Sequence, residues 1–301
     1  MTPDPPTAGP SSDLIDRRLT RPDGRIVAWS ESGVSDGRPI LRMPGTPGSR
    51  LSLRADRAPW VERGLRVITT ERPGFGASTR LEGRGFAEHA DDVAAILDEL
   101  AIDRLPIYGG SGASPHLLAF AARHPDRVVA ATILVGSAPL ERDEADQQID
   151  LNALEYQLFV AGDFDEIWRL TDELRSQLLD DPLVAFRSMM ASSTSVDRAI
   201  LEDPVWQRAF VAGVTEALRQ GPGGWYDEGI AELRPWDIDL DDVHADLTWW
   251  HSDGDRNCPL SAARRLVGQL PNARIRVWAD AGHLTPYHHE PEILDELLAR
   301  C

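Results

Sequence analysis

Short runs rich in valine, isoleucine and aromatic residues alternate with longer stretches of helical apolar spacing along most of this 301-residue chain. The extended runs are RIVAWSES (25–32), PILRM (39–43), RVITTE (66–71), LPIYGG (105–110), RVVAATILVGS (127–137), DLTWWHSD (246–253) and RIRVWAD (274–280). Between them, RADRAPWVERG (54–64), FAEHADDVAAILDELAI (86–102), PHLLAFAARH (115–124), the stretch 260–270 and EILDELLAR (292–300) have the spacing of helices. Strands this apolar, each separated from the next by a helix, leave no sheet face for water. They predict an α/β fold, a mostly parallel sheet flanked by helices on both faces.

The alternation breaks once. Residues 138–241 hold helical segments and turn signals but few strand candidates, and the strand–helix rhythm then resumes. The expected organisation is a core of residues 21–137 and 242–301 with a helical cap or lid, 138–241, inserted between two of its strands. Residues 1–20 open with the polar, proline-rich MTPDPPTAGPSSD and read as a disordered tail rather than a signal peptide.

Charge narrows the partners. Thirty-one basic residues, all arginine, face 49 acidic ones for a net charge of −18, which repels nucleic acid and anionic membrane surfaces. The longest apolar run, VVAATILV (128–135), is too short to span a membrane. Two cysteines, Cys258 and Cys301, are too few for a disulfide scaffold, and a reducing cytoplasm is the expected compartment. Without lysine there is no phosphate-binding Walker loop, no Gly-x-Gly-x-x-Gly follows a strand, and HHE (288–290) and DGD (253–255) lack metal-site spacing. No cofactor or metal is expected. The expected partner is a small-molecule substrate, and the oligomeric state is left open.

The chemistry concentrates in YGGSGASPH (108–116). Ser111 stands between glycines after a strand and before a helix. A nucleophile on such a sharp turn needs small neighbours, and the helix N-terminus behind it favours developing negative charge. A serine needs a base, and the base an orienting acid. Of eight histidines, His283 in ADAGHLTPY follows a strand and would lie over the sheet edge. His89 and His124 fall in helical patterns and are expected at the surface; His288 and His289 read as solvated. Asp255, in HSDGDRNCP, is the candidate acid, with Asp253 its near rival.

Four stretches in order resemble the α/β-hydrolase superfamily, as a serine hydrolase with a helical cap domain, from about residue 24 to the end. MPGTPGS (43–49) is similar to the oxyanion loop H-G-x-P, and ERPGFGAS (71–78) to D-R-P-G-x-G-x-S. GGSGA resembles the nucleophile elbow, and SDGDRNCP with AGH the acid and histidine loops. The resemblance implies Ser111 as nucleophile, His283 as base, Asp255 as its acid, and an oxyanion hole from the backbone N–H groups of Thr46 and Gly112. Pro44 stands where the family has the histidine that braces the oxyanion loop, Glu71 where it has aspartate, and Ala113 where it has glycine.

Cleavage of a carboxylic ester or lactone of a small, apolar molecule is the expected activity. Phe159, Trp168, Met189, Trp206, Phe210, Trp225 and Tyr226 of the cap are candidates to line the pocket. The GGS opening also resembles proline iminopeptidases, for which Asp172, Glu173, Asp227 and Glu228 would be the amine-binding carboxylates. Lyase or cyclase enzymes and ligand receptors of the same fold would carry the same three residues.

Overall fold

A computed structural model of the protein describes residues 14–54, 56–191 and 193–301. Eight strands form one sheet: β1 (Ile15–Thr20), β2 (Ile26–Gly33), β3 (Arg38–Met43), β4 (Leu65–Thr70), β5 (Leu105–Gly110), β6 (Val128–Leu134), β7 (Leu247–Ser252) and β8 (Ala273–Trp278). Their order is β1-β2-β4-β3-β5-β6-β7-β8. β2 runs antiparallel to both neighbours; every pairing from β4 to β8 is parallel.

The period-2 alternation of the strands sorts side chains into two cores. Leu41, Ile68, Ile107, Ile133 and Trp249 face one cluster, which helices α2 (Ala87–Glu99), α3 (Ser114–Arg123) and α11 (Leu260–Val267) cover. Ile40, Val67, Tyr108, Leu134 and Trp250 face the other, covered by α1 (Ala58–Glu62) and α12 (Pro286–Leu298) through Trp60, Ile293, Leu294 and Leu297. Both faces of the central strands are dry, as their near-continuous apolar runs required, whereas β8 at the edge keeps Arg274, Arg276 and Val277 exposed.

Residues 15–20 depart from the expected tail. They form β1, paired with β2 from Ile15↔Glu31 to Thr20↔Ile26, while residues 1–13 lie outside the described ones. An edge strand is paired on one side only, and Asp16, Arg17 and Arg18 are solvent-facing, so IDRRLT carries no apolar signature.

Among the described residues, seven α-helices come between β6 and β7: α4 (Arg142–Ala145), α5 (Asp150–Ala161), α6 (Phe164–Asp180), α7 (Pro182–Met189), α8 (Ser195–Leu201), α9 (Pro204–Ala217) and α10 (Gly223–Leu233). Asp163, Asp181, Thr194 and Asp203 cap four of them by accepting backbone N–H bonds, which is why this stretch is rich in helix starts. Among the described residues no helix is long and apolar enough to cross a membrane.

Candidate active site

The loops that leave the C-terminal ends of the parallel strands meet above the sheet, where ligands of open α/β sheets bind. Ser111 follows β5 directly and holds φ 57°, a left-handed conformation that side chains rarely adopt. Its neighbours must be small. A Cβ on Gly109 would lie 2.7 Å from Met43 O and 2.9 Å from the Ala113 side chain. A Cβ on Gly112 would strike Thr46 and Glu232.

Around that turn the chain assembles a hydrogen-bonded row. Ser111 Oγ lies 3.0 Å from His283 Nε2, and His283 Nδ1 lies 2.8 Å from Asp255 Oδ2. The other Asp255 oxygen accepts from the backbone N–H of Asn257 at 2.8 Å and of Cys258 at 3.0 Å. Asp253, the rival, faces solvent, and among the described residues its carboxylate accepts only the Ala281 N–H, at 3.3 Å. Burial opposes charge on His283, but the Asp255 carboxylate overcomes it and raises the imidazole pKa above its ordinary value. A hydroxyl beside a base so oriented can pass on its proton and attack a carbonyl.

The insertion also holds the histidine loop. Buried Asp197, on α8, accepts the backbone N–H of His283 at 3.1 Å and of Leu284 at 2.7 Å. Nothing in VDRAILE marks this residue, whose partners lie 86 and 87 positions away. His89 corrects another expectation. It is buried, with Nδ1 3.2 Å from Nδ1 of His116, which in turn reaches Glu228. The α2–α3 contact closes over it, so it never meets solvent.

Two cavities, of about 190 and 300 Å³, share Ser111, His283, Thr46 and Phe186 in their walls. Met189 and Trp225 line the first; Trp206 and Phe210 line the second, stacked 4.9 Å apart. Phe159, Trp168 and Tyr226 line neither. Phe159 packs edge-on against Phe164, and Trp168 against Tyr226 at 5.1 Å beneath the Arg80 guanidinium. Phe186, Glu155 and Glu232 join the walls without having been expected there. Asp255, Cys258 and His283 hold donor atoms within 4.8 Å of one another. Burial pushes the Cys258 thiol well up, so it stays protonated, and the other two already bind each other.

A mostly parallel sheet flanked by helices, with a strained serine turn at its carboxyl edge, defines an α/β protein. The alpha/beta hydrolase fold model matches residues 38–290, and the chain belongs to that family. It is 29% identical over 284 residues to a bifunctional esterase/perhydrolase from Acinetobacter calcoaceticus, covering 93% of this chain and 98% of that one. It is 24% identical over 268 residues to a non-heme haloperoxidase from Rhodococcus erythropolis, covering 88% and 92%. A thermophilic esterase from Thermogutta terrifontis superposes with a TM-score of 0.67 at 18% identity, over 95% of this chain and 98% of that one.

Proposed function

We propose that this protein is a serine hydrolase that cleaves a carboxylic ester or lactone of a small, largely apolar molecule. The observation that carries the reading is the row Ser111 Oγ–His283 Nε2–Asp255, at 3.0 and 2.8 Å. His283 takes the Ser111 proton as Oγ attacks the carbonyl carbon. The oxyanion rests on the N–H groups of Thr46 and Gly112. His283 then protonates the departing alkoxide, and the acyl-enzyme is opened by a water that gives its proton to the same nitrogen. The helices between β6 and β7 act as a cap, and Trp206 and Phe210 on the larger cavity favour an apolar group.

A fluorophosphonate probe followed by peptide mapping tests this directly. The label is expected on Ser111, and none is expected on His283→Ala. The base must be neutral to accept a proton and its pKa is raised. The labelling rate should therefore climb with pH through a midpoint above about 6.5, the ordinary histidine value. A folded wild type that takes no label at any pH would refute the reading.

One observation favours a second reading, hydrolysis next to a free amine. Glu155 and Glu232 line the smaller cavity, and among the described residues neither pairs with a cation. Burial pushes both up to about 7, with the Glu228 carboxylate adding to the rise at Glu232. The four carboxylates expected in this role serve elsewhere: Asp172 pairs with Arg175, Glu173 with Arg169, Asp227 with Arg80, and Glu228 with Arg84. An ammonium group would supply the missing countercharge. Glu155→Gln and Glu232→Gln should then each raise KM for an amino-acyl p-nitroanilide by roughly 30-fold, the loss of one buried charge partner, and leave a neutral p-nitrophenyl ester unaffected. Equal effects on both substrates would remove this reading.

A further inference from the structure

Arg72 is buried two residues beyond the end of β4 and belongs to none of the groups that would touch substrate. Its guanidinium grips the oxyanion loop from behind. Nη1 donates to Pro44 O at 2.9 Å and lies 3.4 Å from Gly112 O, and Nη2 donates to Gly45 O at 2.7 Å. The last contact matters most. In a trans peptide the carbonyl and the next N–H point in opposite directions. The Gly45 carbonyl and the Thr46 N–H belong to the same peptide unit. Holding the oxygen toward Arg72 therefore aims the N–H away from it, and a positive charge on the oxygen side polarises the unit and strengthens its donor.

Arg72 is itself held by the insertion. Glu228, on α10, is fully buried and stands at the centre of a charged cluster. Its Oε1 lies 3.3 Å from Arg72 Nε, an ion pair that is not aligned as a hydrogen bond. It also accepts from Arg84, from His116 Nε2 at 3.0 Å and from the Thr46 hydroxyl at 3.2 Å. One carboxylate thus serves two guanidinium groups and touches the loop residue whose backbone would meet the oxyanion. Packing is tight here: a Cβ on Gly74, just after Arg72, would lie 2.6 Å from the Gly224 backbone of α10.

We propose that Arg72 is the positioning residue that orients and polarises the Thr46 N–H donor of the oxyanion hole, and that Glu228 anchors it from the insertion. The pair does what a histidine at position 44 would otherwise do, and Pro44 supplies only its carbonyl to the arrangement. The hole is then complete only while α10 stays seated on the core. This inference rests on the serine-hydrolase reading.

The test uses Arg72→Lys, which keeps the charge and loses the two-pronged grip, Arg72→Ala with and without added guanidinium ion, and Glu228→Gln. Turnover of a p-nitrophenyl ester and the amide proton shift of Thr46 are measured on each. The expected result is a kcat about 10–100-fold lower in Arg72→Lys and Glu228→Gln, a large part of one oxyanion donor, with KM within about twofold. Guanidinium ion should restore part of the kcat of Arg72→Ala, and the Thr46 amide should shift in all three variants. A merely structural role would lower the melting point and the active fraction without rescue, leaving kcat per labelled serine and the Thr46 shift unchanged in the folded remainder. That result would overturn the inference. If wild type neither takes the fluorophosphonate nor turns over ester, the serine reading fails. The Thr46 amide then decides alone: a shift in Arg72→Lys upholds the grip, and an unmoved resonance overturns it.

Discussion

Replacing Ser111 with alanine is expected to lower kcat roughly a million-fold, the loss seen when the nucleophile of a serine–histidine pair is removed, in a protein that melts close to wild type. The hydroxyl hydrogen-bonds His283 at 3.0 Å, with the Cys258 thiol also beside it, and alanine keeps the Cβ that packs on the oxyanion loop. Losing one such bond costs about 1 kcal/mol, or about 1–2 °C in a chain of this length. The strain of φ 57° is retained, because alanine is no freer there than serine. Ser111→Gly separates the two effects. It should be equally inactive, yet more stable than Ser111→Ala, since glycine adopts this conformation without penalty. Steady-state hydrolysis of short p-nitrophenyl esters beside thermal melts reads both. Retention of even one hundredth of wild-type turnover by folded Ser111→Ala would mean that another group attacks the carbonyl.

What the sequence made legible was local or apolar. The central strands were found because a strand buried on both faces must be apolar throughout, as LPIYGG and VVAATIL are. The serine turn was found because it requires small residues at fixed offsets. β1 was missed because a half-paired edge strand can be charged, and IDRRLT is. The polar interior was missed for a different reason. Asp197, Glu228 and His89 have ordinary helical contexts, and only contacts across 86, 112 and 27 positions give them meaning. Glu155 and Glu232 read as two more acids on an acidic chain until the fold placed them in a cavity wall without a cation. Trp168 and Tyr226 erred in the other direction. Aromatic residues on inserted helices were candidates for the pocket, yet these two cover each other away from both cavities. A helix's outer face cannot be told from its cleft face until its neighbours are known.

Asp255→Asn should cost about 10⁴ in kcat while changing the shape of the site very little, and the reason lies in how the loop would hold the new amide. The two carboxylate oxygens have different partners. Oδ1 accepts two backbone N–H groups, from Asn257 and Cys258, and Oδ2 faces His283 Nδ1. An asparagine in this place must present its carbonyl oxygen to the two loop donors, since its NH₂ group would meet them donor to donor. Its NH₂ then faces Nδ1, which can only accept. The imidazole proton is forced onto Nε2, the nitrogen that must be bare to take the proton from Ser111. The variant would therefore keep its three residues at hydrogen-bonding distance with the base in the wrong tautomer. The carboxylate is also what raises the His283 pKa against burial, so the residual activity should have its acid-side midpoint below that of wild type. Asp253→Asn, altered at a solvent-facing residue whose carboxylate accepts the Ala281 N–H, should retain wild-type turnover and pH profile. Rate–pH profiles of the two variants decide the assignment. A large loss in Asp253→Asn with little in Asp255→Asn would reverse it, and equal small losses in both would mean that His283 needs no carboxylate to act.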